Sequence, residues 1–274
     1  MSEPGFFFHR VPGIHGQERF FATELTRGPW SNDHQHGGPP TALLARAVER
    51  EGPRAGEMFV SRMTFELLRP IPIAAPLEVV TEVLTEGRSV HRIAAALVSG
   101  DQQLAVGLAV RIRVQELAVP TFTHDDAARA LRPPEQCSAF ELPFLHHAVG
   151  YHTAMELRLA DGEFGTGNLA AWIRPRCGLI EGEESTALQR IMICADAGHG
   201  VGAALDTAKW SFVNPDLTVH LHRLPAGGAD EWLGMRARTW SAPLGFGMCQ
   251  TQLSDRRGPL GVAVQSQVIS GQAG

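Results

Sequence analysis

Leu217-Thr218-Val219-His220-Leu221-His222-Arg223 repeats the pattern of Met63-Thr64-Phe65-Glu66-Leu67-Leu68-Arg69, with Thr218 and Arg223 standing 154 positions after Thr64 and Arg69. In both heptads the first, third and fifth residues are apolar and the second and fourth are polar. That period of two is the signature of a strand with one buried face. Outward from each heptad the texture stays the same. PLEVVTEVLTEG, SVHRIAAALVSG and LAVGLAVRI follow the first; EWLGMRARTW, FGMCQTQLSD and LGVAVQSQV follow the second, the last pair matching at a displacement of 156. These runs are short, rich in β-branched or alternating residues and bounded by Gly, Pro or Asp, so they predict antiparallel neighbours.

Each heptad is preceded by a helical pattern. His36 to Glu51 (HGGPPTALLARAVERE) places two glycines and two prolines before an amphipathic body, a proline-primed helix start. Gly37 and Gly38 leave backbone N–H groups open to whatever lies at that start. Ser185 to Leu205 (STALQRIMICADAGHGVGAAL) reads as the second helix. Arg19 to Leu25, Tyr151 to Leu159 and Asn168 to Arg174 read as strands, whereas Gln115 to His147 breaks the pattern and reads as a linker with a short helix at Asp125 to Leu131. A helix followed by four strands, twice, is one supersecondary unit used two times. The expected fold is α+β, with two helix-plus-antiparallel-sheet repeats joined edge to edge into one continuous sheet. Residues 1–116 form the first repeat, 117–147 the linker and 148–274 the second.

The 274 residues carry 44% apolar and 19% charged side chains, an ordinary globular composition. A net charge of −5 offers no basic excess for general nucleic-acid binding. Lys209 is the sole lysine, which leaves a Schiff-base mechanism one candidate. Cys137, Cys177, Cys194 and Cys249 form no CxxC pair, and no run of about 18 apolar residues predicts a membrane span. The amino terminus lacks the pattern of a secretory signal, so a cytoplasmic protein is expected.

The chemistry concentrates in Ser185 to Leu205, whose only formal charges are Arg190 and Asp196. An ionised carboxylate in an apolar element costs several kcal/mol unless partners hold it. Asp196 is therefore either an anchor for nearby donors or a tuned catalytic group.

The order of the segments HGGPPTALLARAVE, RMTFELLRPIP, CADAGHGVGAAL, NPDLTVHLHR and GVAVQS resembles the acyl-CoA thioesterase II family, whose fold is a double hotdog. The resemblance runs from about Arg19 to Ile269. It implies hydrolysis of fatty acyl-CoA by an activated water held by three residues, which fall here on Asp196, Gln265 and Asn214. Asn214 stands where the family has a hydroxyl residue. Thr218, four residues on, is a second source of that hydroxyl, and Gly37 and Gly38 are expected against the substrate. No metal or other cofactor is required, one working site per chain is expected because the first helix lacks an acid between Gly37 and Ala45, and edge strands call for a homodimer or larger assembly.

Three other readings stay open. Gly198, Gly200 and Ala203 followed by Asp216 imitate a dinucleotide fingerprint, which needs a strand before the glycines and a helix after them. Asp196 and His199, three apart, could form the acid–histidine pair of an R-specific enoyl-CoA hydratase, which shares the double hotdog. A protein that binds acyl chains or acyl-CoA without catalysis is the third. His34 with His36, and His220 with His222, have metal-ligand spacing but no consistent acid or Cys partner. Arg111, Arg113, Arg174 and Arg176 are candidates for coenzyme A phosphates.

Overall fold

The computed structural model describes residues 5–13, 18–52, 55–119, 130–145, 147–228 and 231–271. Two strands, β1 (Phe6–Pro12) and β2 (Glu18–Ala22), lead into helix α1 (Gly38–Arg50). Four strands follow: β3 (Met58–Leu67), β4 (Leu77–Glu86), β5 (Val90–Ser99) and β6 (Gln102–Arg113). The second half begins with β7 (Ser138–Ala139), β8 (Met155–Glu163), β9 (Asn168–Pro175) and β10 (Gly178–Ile180), then helices α2 (Ala187–Ala195) and α3 (Gly198–Val201). It ends with β11 (Trp210–Val213), β12 (Asp216–Leu221), β13 (Leu233–Ala242), β14 (Phe246–Asp255) and β15 (Gly258–Gly271).

All of these strands join one sheet in the order β10-β1-β2-β4-β5-β6-β3-β12-β15-β14-β13-β9-β8-β7, with β11 paired to β15. The two heptads of the repeat meet at its centre. Strands β3 and β12 run antiparallel with Thr64 opposite Thr218 and Met63 opposite Val219. A residue thus faces its own repeat equivalent, so a pseudo-two-fold axis passes between the two threonines. Strands β5, β6 and β3 on one side correspond to β14, β15 and β12 on the other. The halves also interlock at the rim, where β1 pairs in parallel with β10.

Alternation explains which face is covered. Met63 and Phe65 on β3, Leu217 and Val219 on β12, and Ile93 and Leu97 on β5 are fully buried, and they share one core with α1 and α2. The helices pack against each other on this inner face. α1 starts one residue after Gly37 with prolines in its first turn, and its inward stripe includes Leu43, Leu44 and Val48. α2 starts at a Thr186 cap whose hydroxyl accepts from the Gln189 N–H. Arg46, 2% exposed, bridges the halves through Glu18 of β2 and Glu183 beyond β10.

Three expectations change. Ser185 to Leu205 is not one helix: α2 stops at Ala195, a turn carries Asp196 and Ala197, and α3 is a single short turn. Tyr151 to Ala154 is a 3-10 turn that precedes β8 rather than part of it. Five strands rather than four follow the second helical segment, because the first of the expected runs is split into β11 and β12 at Asn214 and Pro215. The short helix expected at Asp125 to Leu131 falls for the most part outside the described residues, and Leu131 itself is in coil.

Candidate active site

Asp196 lies where the carboxyl end of α2 meets the amino end of α1. The residue is 1% exposed. As the residue capping the end of α2 it faces that helix's unfavourable pole, but the amino terminus of α1 stands opposite, and α1 has no side-chain cap of its own. Gly37 makes the approach possible. A Cβ there would stand 2.8 Å from Asp196 Oδ2.

Three side chains hold the carboxylate. The Asn214 Nδ2 amide donates to Asp196 Oδ1 at 2.8 Å and to the Asp216 carbonyl at 3.1 Å. Gln265 Nε2 donates to the Asp196 carbonyl at 3.1 Å and reaches Asp196 Oδ1 at 3.3 Å. His36 Nδ1 lies 3.0 Å from Asp196 Oδ2 and 3.1 Å from the Gly38 N–H. One nitrogen cannot donate to the first and accept from the second. Two acceptors at 3.0 Å would repel, so the proton belongs between His36 and Asp196.

Burial pushes the Asp196 carboxyl up, yet the charge and hydrogen bond of His36, with the hydrogen bond of Asn214, outweigh it and bring it down to about 2. His199 moves the other way. Burial holds its ring below the usual imidazole range, against the attraction of Asp196. A neutral His199 fits the hydrogen bonds, because Gln265 Nε2 donates to its Nδ1 at 3.1 Å while the His199 N–H donates to Gln265 Oε1 at 3.2 Å. That second bond fixes which end of the Gln265 amide faces Asp196.

Asp196, His36, His199, Gly37 and Asn214 line a cavity of about 440 Å³. The rest of its wall is mostly apolar, including Trp30, Leu67, Leu68, Ile71, Val213 and Val268, with His34 and Arg69 also on it. An ionised acid at the base of an apolar cavity, facing an amide and a helix amino terminus, can bind water and take a proton from it.

The sequence profile of acyl-CoA thioesterase N-terminal domains matches residues 26–112, and that of the C-terminal domains matches residues 126–269, more than half the chain. The chain belongs to the acyl-CoA thioesterase family. Thioester hydrolysis is therefore its reaction class. No curated protein matches the thioesterase in sequence. Its fold is similar to a Thermobifida fusca structure assigned to thioesterase II, with a TM-score of 0.74, 18% identity and 95% of each chain covered. It is also similar to a hot dog fold protein from Alicyclobacillus acidocaldarius (TM-score 0.71, 15% identity) and to the acyl-CoA thioesterase II TesB2 of Mycobacterium marinum (0.68, 15%), with 96% of each chain covered in both cases. At these identities the likeness shows the fold, a double hotdog.

The structure brings Asp196, Asn214 and Gln265 of the thioesterase together, and only the first two line the cavity. Gln265 stands behind the carboxylate, 1% exposed. Of Gly37, Gly38 and Thr218, Gly37 alone lines the cavity; Gly38 packs on the Ile193 carbonyl, and Thr218 bonds Thr64 on the central strand pair, its Oγ1 3.3 Å from Thr64 Oγ1. Arg111 turns inward and donates to the Val48 and Glu51 carbonyls at the end of α1, so it is a helix cap rather than a phosphate ligand. The dinucleotide reading fails because a helix, not a strand, precedes Gly198. Sequence reasoning missed His36 at the site. Its signals were the HGG start of the first helix and its spacing from His34, and neither points to an acid 160 positions on.

Proposed function

We propose that this thioesterase hydrolyses fatty acyl-CoA to free acid and coenzyme A, with Asp196 as the base that activates water. The observation that carries the reading is the convergence of His36, Asn214 and Gln265 on one buried carboxylate at the base of an apolar cavity. Water in the cavity donates one hydrogen to Asp196. Both amide hydrogens of Asn214 are already used, so its oxygen end remains to accept the second, which does one half of a hydroxyl's work. Gln265 acts on the carboxylate rather than on the water. The water oxygen adds to the thioester carbonyl carbon, its proton passes to the Asp196–His36 pair, the C–S bond breaks and the proton leaves with the thiolate. The negative charge that develops on the carbonyl oxygen is met by the amino terminus of α1 at Gly37.

Hydration of an enoyl-CoA would call on His199 as an acid–base partner. Its Nδ1 is instead engaged by Gln265 at 3.1 Å. We also infer a cytoplasmic enzyme that forms a homodimer or larger assembly. Val80 and Ile112, on the sheet face turned away from the helices, are 51% and 43% exposed and support a second copy as the cover.

The test is thiol release from acyl-CoA esters of graded length, with the free acid identified as product. The expected outcome is hydrolysis by the wild type, a fall of about 10-fold or more in Asn214→Ala and in Gln265→Ala, and partial recovery in Asn214→Thr. Hydration of a trans-2-enoyl-CoA without thiol release would move the assignment to the hydratase, and tight acyl-CoA binding without turnover to an acyl-binding protein.

A further inference from the structure

We propose that Tyr151 is the positioning residue of this site, a clamp that holds the His36 imidazole flat so that its Nδ1 stays on Asp196. The inference rests on the function proposed above and adds a residue that touches neither substrate nor carboxylate. Tyr151 is the chain's single tyrosine. Its ring lies on the His36 ring with centroids 3.7 Å apart and planes within 5° of parallel. The residue is 5% exposed, and its hydroxyl donates to the Ile193 carbonyl at 2.8 Å, in the last turn of α2 and three residues before Asp196.

The arrangement answers a mechanical problem. His36 sits in a loop just before α1, and its ring would be free to turn about two side-chain torsions. One side of it belongs to the cavity wall. Tyr151 covers a face of the ring, and the Tyr151–Ile193 bond ties that cover to the helix that carries the acid. The backbone is pinned as well: the Tyr151 N–H donates to the Arg27 carbonyl at 2.9 Å, and the His36 N–H donates to the Thr26 carbonyl at 2.7 Å. Tyr151, His36 and Asp196 thus share one frame built from both halves of the chain.

The stack fixes the plane of the imidazole, and with the plane fixed Nδ1 stays 3.0 Å from Asp196 Oδ2.

The test compares Tyr151→Leu with Tyr151→Phe, each in the wild-type and the His36→Ala backgrounds, by kcat and KM on the best acyl-CoA ester. Tyr151→Phe keeps the stack and retains kcat within about twofold, while Tyr151→Leu lowers kcat about tenfold with KM nearly unchanged. In the His36→Ala background Tyr151→Leu has little further effect, because the group it acts through is gone. Equal losses in both backgrounds would show a merely structural role and overturn the proposal. A second readout is independent of turnover: the ring-current shift of the His36 Cε1 proton in the NMR spectrum, assigned by its loss in His36→Ala. It persists in Tyr151→Phe and collapses in Tyr151→Leu. An unmoved resonance would overturn the clamp, whereas a collapsed one in an enzyme that hydrolyses no acyl-CoA would refute the proposed function and leave the clamp standing.

Discussion

Asp196 pays for its burial with three partners, and that has a measurable consequence in acid. Its carboxyl, brought to about 2 in the fold, ionises below the ordinary 3.8. A depressed value means that the ionised group contributes stability above about pH 4 and that this contribution is lost as the pH falls through 2. The size is on the order of 2 kcal/mol. Urea unfolding at pH 6 and at pH 2.5 should show the wild type losing more stability than Asp196→Asn over that interval; parallel losses would contradict the ion pair. At this scale the site was half legible. Asp196 stood out as the lone acid of an apolar stretch, and Gln265 and Asn214 followed from the resemblance. His36 did not, because a histidine before two glycines carries no sign of which distant carboxylate the fold will bring to it.

Elements position these residues, and the break between α2 and α3 matters most. Residues 185–205 read as one helix because their apolar texture runs unbroken, and texture cannot report where hydrogen bonding stops. The stop puts Asp196 at a helix end and turns His199 back toward β15. Gly198 fits this turn against β14 and β15, where a Cβ would meet Thr251 Oγ1 and stand 3.1 Å from Gln265 Oε1. Gly198→Ala should therefore displace the Gln265 amide, lowering kcat about tenfold and the melting temperature by several degrees. Unchanged kcat with a lowered melting temperature would place Gly198 in packing alone. The core beneath is ordinary by comparison: Phe65→Ala, at a fully buried ring, should cost about 3 to 5 kcal/mol in urea unfolding.

The whole molecule was the most legible scale, because a repeat 154 residues apart survives without knowledge of any side-chain contact. What the repeat could not show is how far the halves depend on each other. The site takes His36 and Gly37 from one half and Asp196, Asn214 and Gln265 from the other, and β1 of the first half needs β10 of the second. The displacements of 154 and 156 put Val60 and Ala109 where Asn214 and Gln265 stand, so the first half lacks both amides. This supports one working site per chain. If residues 1–116 and 148–274 are the two units, the first expressed alone exposes the β3 edge and loses β10. Size exclusion and circular dichroism should find it aggregated or unfolded; a cooperative monomer would contradict the interlocked account.

The central claim is that Asp196 activates the water that hydrolyses an acyl thioester. The most direct measurement is thiol release by Asp196→Asn beside wild type, on the best acyl-CoA ester at neutral pH, with circular dichroism to confirm an intact fold. Loss of about 10² or more in kcat from a folded variant is the predicted result. A folded Asp196→Asn enzyme that turns over at close to the wild-type rate would contradict it.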